Sequence, residues 1–299
     1  MSVERISDLQ AFVAVVEQGG VTAAARHLGR SVQAVSRSLA TVERAVGVEL
    51  VRRTTRNSNP TAAGAGLYRR VASALSDIEA ASAEAAGARD KAIGVLRVSA
   101  STRFAPAFVV PAVASFLAAH PAVEVDLSLE DRHVDLVREG HDVAVRLGDL
   151  PDSSLKARRL AALRQVTFAA PGYLAARGRP AHPQDLASHS CIVRTSAHDG
   201  AVWTYTISGQ LQVVTVRGPL KTNNADAANR AALEGVGIAN APYWQVQGMV
   251  ENGGVELLLT AFEPPDMPVH AVWAHSEQVP AKTRLFVDHL AAYLRPLRL

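Results

Sequence analysis

Between Ile6 and Gln18 the apolar residues Leu9, Phe12, Val13 and Val16 fall at i, i+3, i+4 and i+7, the repeat of a helix with one buried stripe. Gly19-Gly20 closes it. The next run, from Thr22 as cap through Leu28, reads as a short helix of small side chains over which a second helix can cross closely. Gly29 supplies the turn, since glycine accepts left-handed backbone. A third helix opens at Ser31, a good N-cap, and its Val35, Leu39, Val42 and Val46 keep spacings of four, three and four. At about 100° per residue those four share one face, while Gln33, Arg37, Ala40 and Arg44 collect on the opposite one.

Two helices joined by a glycine turn, the second burying valines and offering Gln and Arg to solvent, make a helix-turn-helix suited to a DNA major groove. The first turns of such a helix approach base edges. Gln33 is suited to adenine, Arg37 to guanine or phosphate, Val32 to a thymine methyl, and Ser31 and Ser36 to phosphate. Which of them reads a base stays open, and any one taken alone is equally an ordinary solvated position. Residues 47–61 then read as two short strands around a polar tip, a wing whose Arg52, Arg53 and Arg56 suit phosphates or the minor groove. The bland alternative for this stretch is a solvated basic loop.

Further along, no proline follows Pro60 until the helix has run to about Ala88, and Leu67, Val71, Ala74, Ile78, Ala81 and Ala85 alternate at four and three, an a/d seam. It reads as a dimer linker, the alternative being an amphipathic helix packed on its own domain. A dimer would set two recognition helices on successive major grooves of double-stranded DNA, at a pseudo-palindromic operator. Past a hinge at Lys91–Gly94, strands are expected at 95–100, 123–129 and 143–147 and helices at 108–119 and 134–139, an alternation that predicts a largely parallel α/β sheet. A comparable series follows: strands at 165–170, 191–194, 237–240 and 269–274, helices at 225–234, 243–252 and 281–294.

Charge is divided along the same lines. Between Arg26 and Arg70 nine arginines, among them Arg30, a further candidate for DNA contact in the turn before the recognition helix, face two acids, Glu43 and Glu49, whereas the 299-residue chain as a whole has a net charge of only +3. A basic end on a near-neutral body suits a polyanion-binding module attached to something else. Cys191 is the single cysteine, so no internal disulfide can form. Glu4, Arg5 and Asp8 occupy the place of a signal peptide's apolar core, and the apolar stretch 104–119 is too short for a membrane span and contains Pro106 and Pro111. A soluble, cytoplasmic protein without membrane contact is expected.

Leu9, Phe12, Ala23-Ala24, Leu28, Ala34-Val35-Ser36-Arg37, Leu39, Glu43, Gly47, Leu50, Arg53, Arg56, Thr61 and Gly64 together resemble the N-terminal domain of LysR-type transcriptional regulators. Val32 stands where that family commonly has Gln, with Gln33 one position later, and Val51 replaces a frequent Phe. Residues 134–146 and 235–239 are similar to stretches of the family's second half. The resemblance implies a winged helix-turn-helix at 1–60, a linker helix at 61–90 and an effector-binding domain at 91–299 with the two-lobed fold of periplasmic binding proteins. One lobe would hold about 95–165 and 270–299, the other 166–269, with the strands 166–170 and 269–274 as crossovers. It also implies a homodimer that pairs into a homotetramer.

In open α/β lobes, ligands lie beyond the carboxyl ends of strands. That rule selects Ser101, Thr102 and Arg103 after the first strand, Arg146 at the end of the third, Arg194 and Thr195 on the second lobe and Asn223 before its helix, donors suited to a small anion, each of which taken alone is more often a helix cap or surface group. Tyr243 and Trp244 are candidates for an aromatic wall or for core. Catalytic signatures are missing: there is no HExxH, CxxC, G-x-S-x-G or phosphate loop, and His189 with Cys191 is too sparse for zinc. No cofactor or metal is expected. The resulting expectation is a DNA-binding transcriptional regulator that answers to a small effector and is not an enzyme. A ligand-independent architectural DNA binder, a solute-binding protein and an enzyme on the same lobes are the rivals.

Overall fold

A computed structural model describes residues 6–53, 58–85, 92–132, 135–150, 154–195, 201–276 and 279–297. Its N-terminal helices are α1 (Ile6–Glu17), α2 (Val21–His27) and α3 (Val32–Val46). Phe12, Ala24, Val35, Leu39, Val42 and Leu50 are fully buried in one core that these helices share. Two expectations are corrected. The second helix is capped by the backbone of Gly20, without a side-chain bond, so Thr22 lies inside it. Val46 is 43% exposed, because α3 ends at Gly47 in the left-handed region and the seam has no turn left to continue on. Gly29 is left-handed as the turn requires (φ 61°), and the Ser31 hydroxyl accepts the Ala34 N–H at 3.2 Å.

Strands β1 (Val51–Arg53) and β2 (Ser58–Pro60) pair antiparallel as the wing. Glu43 fixes its entry by accepting the N–H groups of Leu50 and Val51 at 2.9 and 3.2 Å. The tip, with Arg56, lies outside the described residues. Thr61 then caps the long α4 (Ala62–Ala85), its hydroxyl accepting the Gly64 N–H and donating to Glu49 O. Leu67, Val71, Ala72 and Leu75 pack into the N-terminal core. The expected dimer seam is therefore corrected in its first half, which is occupied within the domain; Ala74 and Ile78 remain exposed, and the side chains of Ala81 and Ala85 lie outside the described set.

Beyond residue 92 the elements are β3 (Gly94–Ala100), α5 (Val110–Ala119), β4 (Val123–Leu129), α6 (Leu136–Glu139), β5 (Val143–Leu147), β6 (Lys156–Leu163), β7 (Gln165–Ala169) and α7 (Pro171–Arg177). They continue with β8 (Val193–Arg194), β9 (Val202–Ile207), β10 (Gln210–Thr215), β11 (Lys221–Thr222), α8 (Ala225–Leu233), β12 (Ala239–Pro242), α9 (Gln247–Glu251), β13 (Glu256–Leu258), β14 (Met267–Trp273) and α10 (Ala281–Leu294). The first sheet runs β4-β3-β5-β14-β6. It is mixed, which corrects the largely parallel expectation: β3 is parallel to β4 and β5, but β14 returns antiparallel to β5 and β6. The second group is the antiparallel β12-β7-β13, the parallel pair β8-β11 and the hairpin β9-β10.

Leu96, Val98, Phe104, Phe116, Leu163, Phe286 and Leu290 share one core, while Val166, Phe168, Ile192 and Ile238 belong to others made from the intervening chain. The chain passes between them at Arg164 and again after Glu263. Those two residues form a bidentate ion pair, both contacts 2.8 Å, that clamps the passages together. On the opposite side, Gly140 rests against α4: a Cβ there would lie 2.8 Å from Arg69 O.

Gly64 packs still closer. A Cβ at this position would lie 1.9 Å from Leu50 O, a backbone atom that cannot yield without moving the wing. Gly64→Ala should therefore cost about 1–3 kcal/mol, as overpacking does, in a urea unfolding curve that follows the N-terminal domain; an unchanged midpoint would contradict this contact.

Candidate DNA-reading face and effector cleft

With Val35, Leu39 and Val42 committed to the core, α3 presents Val32 (46% exposed), Gln33, Arg37 and Arg44 to solvent. Ser36 is half-buried, and Ser31 is exposed with its hydroxyl used as the helix cap. Arg52 is exposed on β1 and Arg53 ends that strand. Arg30 has another duty. Its guanidinium donates to Ser7 O and to Ser38 Oγ, both at 3.0 Å, and so ties the start of α1 to the buried side of α3. These bonds hold α3 against α1, a contact that no sequence rule for phosphate contacts indicates.

At the carboxyl end of β3, Ser101 and Thr102 both meet Asp131. Ser101 Oγ and the Thr102 N–H donate to Asp131 Oδ1 at 2.9 and 3.0 Å, and Thr102 Oγ1 donates to Oδ2 at 2.6 Å. Partial burial acts against the charge of Asp131, but the Thr102 and Ser101 donors, with help from the Arg194 charge, hold its pKa below the usual carboxylate value. Arg103 reaches across to the other lobe, pairing with Asp226, donating to Gln245 O at 3.2 Å and lying over the Trp244 ring at 5.6 Å. Burial and the neighbouring Arg194 both lower its pKa. Arg146 donates to Ser99 Oγ at 3.4 Å and is likewise lowered by burial, against the opposing pull of Glu130.

Arg194 lines a cavity of about 260 Å³ beside the crossing segments, with Gln165, Trp203, Thr204, Asn240 and Met267. Of the predicted residues only Arg194 lines that cavity, but its charge acts on both Asp131 and Arg103, which places it beside the Ser101–Thr102–Asp131 cluster. Thr195 joins β11 through its backbone, donating to Thr222 O at 2.8 Å, and Asn223 leaves the helix cap to Asn224, whose Oδ1 accepts the Ala227 N–H. Trp244 stands edge-on to Phe108 at 5.0 Å as part of the first lobe's core margin, and Tyr243 lies under Arg164. Asp131 was missed by the sequence reading. It follows β4, the strand beside β3, so the strand-end rule that selected Ser101 would also have found it.

The comparisons with known proteins bear on both faces. Residues 6–65 match the family described as bacterial regulatory helix-turn-helix protein, lysR family, and residues 89–295 match the LysR substrate binding domain. The chain belongs to the LysR family of transcriptional regulators. The regulator is 32% identical over 290 residues to the HTH-type transcriptional regulator DmlR of Escherichia coli, covering 96% of this chain and 94% of that one. Its fold is similar to CrgA, a LysR-type transcriptional regulator from Neisseria meningitidis, at 29% identity and a TM-score of 0.59, covering 96% and 98% of the two chains. The full-length Vibrio cholerae virulence activator AphB is similar at 25% identity and a TM-score of 0.59, covering 97% and 99%. A DNA-binding domain joined to a ligand-responsive domain makes this a regulator and not an enzyme. Among the described residues no helix is long and apolar enough to cross a membrane.

Cys191 takes no part in the cleft. It is fully buried, and burial alone pushes its thiol up to about 12. Since the thiolate is the reactive species, native protein should leave Ellman's reagent unreacted at neutral pH and release one thiol per chain only in denaturant; rapid reaction of the native protein would contradict that burial.

Proposed function

We propose that this regulator is a cytoplasmic homodimer, paired into a homotetramer, that recognises a pseudo-palindromic operator through two copies of α3 and answers to a small anionic effector held between its lobes. The observation that carries the DNA half is the exposed row Val32, Gln33 and Arg37 on a helix whose opposite face is buried. Gln33 pairs with adenine, Arg37 with guanine or phosphate and Val32 with a thymine methyl. Ser31, Ser36, Arg52, Arg53 and Arg56 contact the backbone or minor groove. The exposed Ala74 and Ile78 on α4 support a linker that pairs two chains, in its second half where the helix has left its own domain. The working division is residues 1–60 for DNA, 61–90 for the linker and 91–299 for the effector.

For the sensor half, the support is a concentration of arginines from both lobes around one cleft. Arg103 is the strut between lobes, so a ligand that changes its partners changes lobe closure, and the linker transmits that change to the spacing of paired dimers on DNA.

The test is selection of binding sites from randomised duplex DNA by the full-length protein at physiological salt. Enrichment of a two-fold symmetric sequence, with half-sites separated by a multiple of the helical turn, is the expected result; recovery of unenriched DNA would overturn the reading. On the enriched site Arg37→Ala should lose about 1–3 kcal/mol of binding if Arg37 reads a base, as for other bidentate contacts. An equal loss on random DNA would make it a phosphate contact.

A further inference from the structure

We propose that Asp131 is a tethered competitor of the effector: its carboxylate fills a subsite that a ligand carboxylate enters only when Asp131 leaves. The proposal rests on the reading of this cleft as the effector site. Three donors, Ser101 Oγ, Thr102 N and Thr102 Oγ1, converge on the two oxygens of one carboxylate that comes from a different strand. That is the pattern in which a free carboxylate is bound, with both oxygens engaged and charge-assisted bonds as short as 2.6 Å. Asp131 is itself exposed, so on release it returns to water without opening a core.

The surrounding charge has the same focus. Arg194 of the second lobe and Arg146 of the first both interact electrostatically with Asp131. A ligand carboxylate in place of Asp131 would meet the same two cations, and the cavity of about 260 Å³ that Arg194 also lines has room for a small organic body. Asp131 therefore selects for effectors. A carboxylate must bind well enough to displace an acid held at high local concentration, whereas a neutral analogue gains nothing from the exchange. The apparent affinity is reduced by the fraction of molecules in which the cradle is already filled.

The probe is 13C-acetate, titrated into full-length protein at constant ionic strength and followed by line broadening, with acetamide as the neutral isostere. Asp131→Ala should bind acetate about tenfold more tightly than wild type, the size of effect a mostly occupied cradle imposes. Asp131→Asn, which keeps the shape and one acceptor oxygen, should show a smaller gain and serves if the alanine variant does not fold. Adding Ser101→Ala to either should reduce the gain, and acetamide should bind alike throughout. Equal acetate affinity in wild type and both variants, or a gain shared by acetamide, would overturn the proposal. Because acetate reports only on the cradle, this failure is distinct from failure to select an operator.

Discussion

Val35, Leu39 and Val42 are fully buried in the core that also holds Phe12 and Ala24, and this packing fixes the rotation of α3 about its own axis. Each of these side chains contributes about 1.5–3 kcal/mol by leaving water, far more than any single surface contact, so the helix cannot turn without losing the domain. Gln33 and Arg37 face outward as the geometric remainder. The cap at Ser31, the left-handed Gly47 and the two backbone bonds accepted by Glu43 set where the helix begins, where it stops and how the wing leaves it. Arg30 completes the arrangement by fixing α1 to the buried side of α3.

The linker carries this rigid unit to the sensor. Tyr68 on α4 donates to Glu17 of α1 at 2.9 Å, and its neighbour Arg69 receives Gly140 of the sensor against its carbonyl. Two residues after Gly140, Asp142 accepts the Arg97 N–H at 2.8 Å and faces the buried Lys282 at 3.2 Å, with Lys282 also donating to Val95 O at 2.6 Å. A buried charge cluster of this kind is held to one geometry, since separating its members would leave a charge in low dielectric. Movement of the first lobe would therefore be felt by α4 at the Gly140 contact, the link on which the proposed coupling of ligand to DNA spacing relies.

How much of this was legible in the chain depends on whether a local rule decided the element. Periodicity and capping decide helices, and α1, α3 and α10 lie within a residue or so of their expected bounds. Strands β3, β4 and β5 were equally legible from β-branched runs. By contrast, β6 is Lys-Ala-Arg-Arg-Leu-Ala-Ala-Leu, a helix-favouring composition held as strand by pairing with β14, a partner more than a hundred residues away. The hairpin β9-β10 carries a local signature of its own: Trp203, Tyr205 and Ile207 alternate as buried residues up to Ser208-Gly209, both at positive φ, as a two-residue hairpin turn demands. Of the cleft, Ser101 and Thr102 followed from the strand-end rule. The same rule applied to the end of β4 reaches Asp131, but that it meets Ser101 and Thr102 is a property of the β3-β4 pairing, which no local pattern states.

The most direct measurement of the central claim is a footprint of the purified protein on the DNA upstream of its own gene, at physiological salt with excess random competitor. The account predicts a protected, roughly palindromic segment that survives competition. Protection that disappears with competitor on this and every other candidate promoter would leave only general affinity for the phosphate backbone and contradict the specific reading assigned to α3.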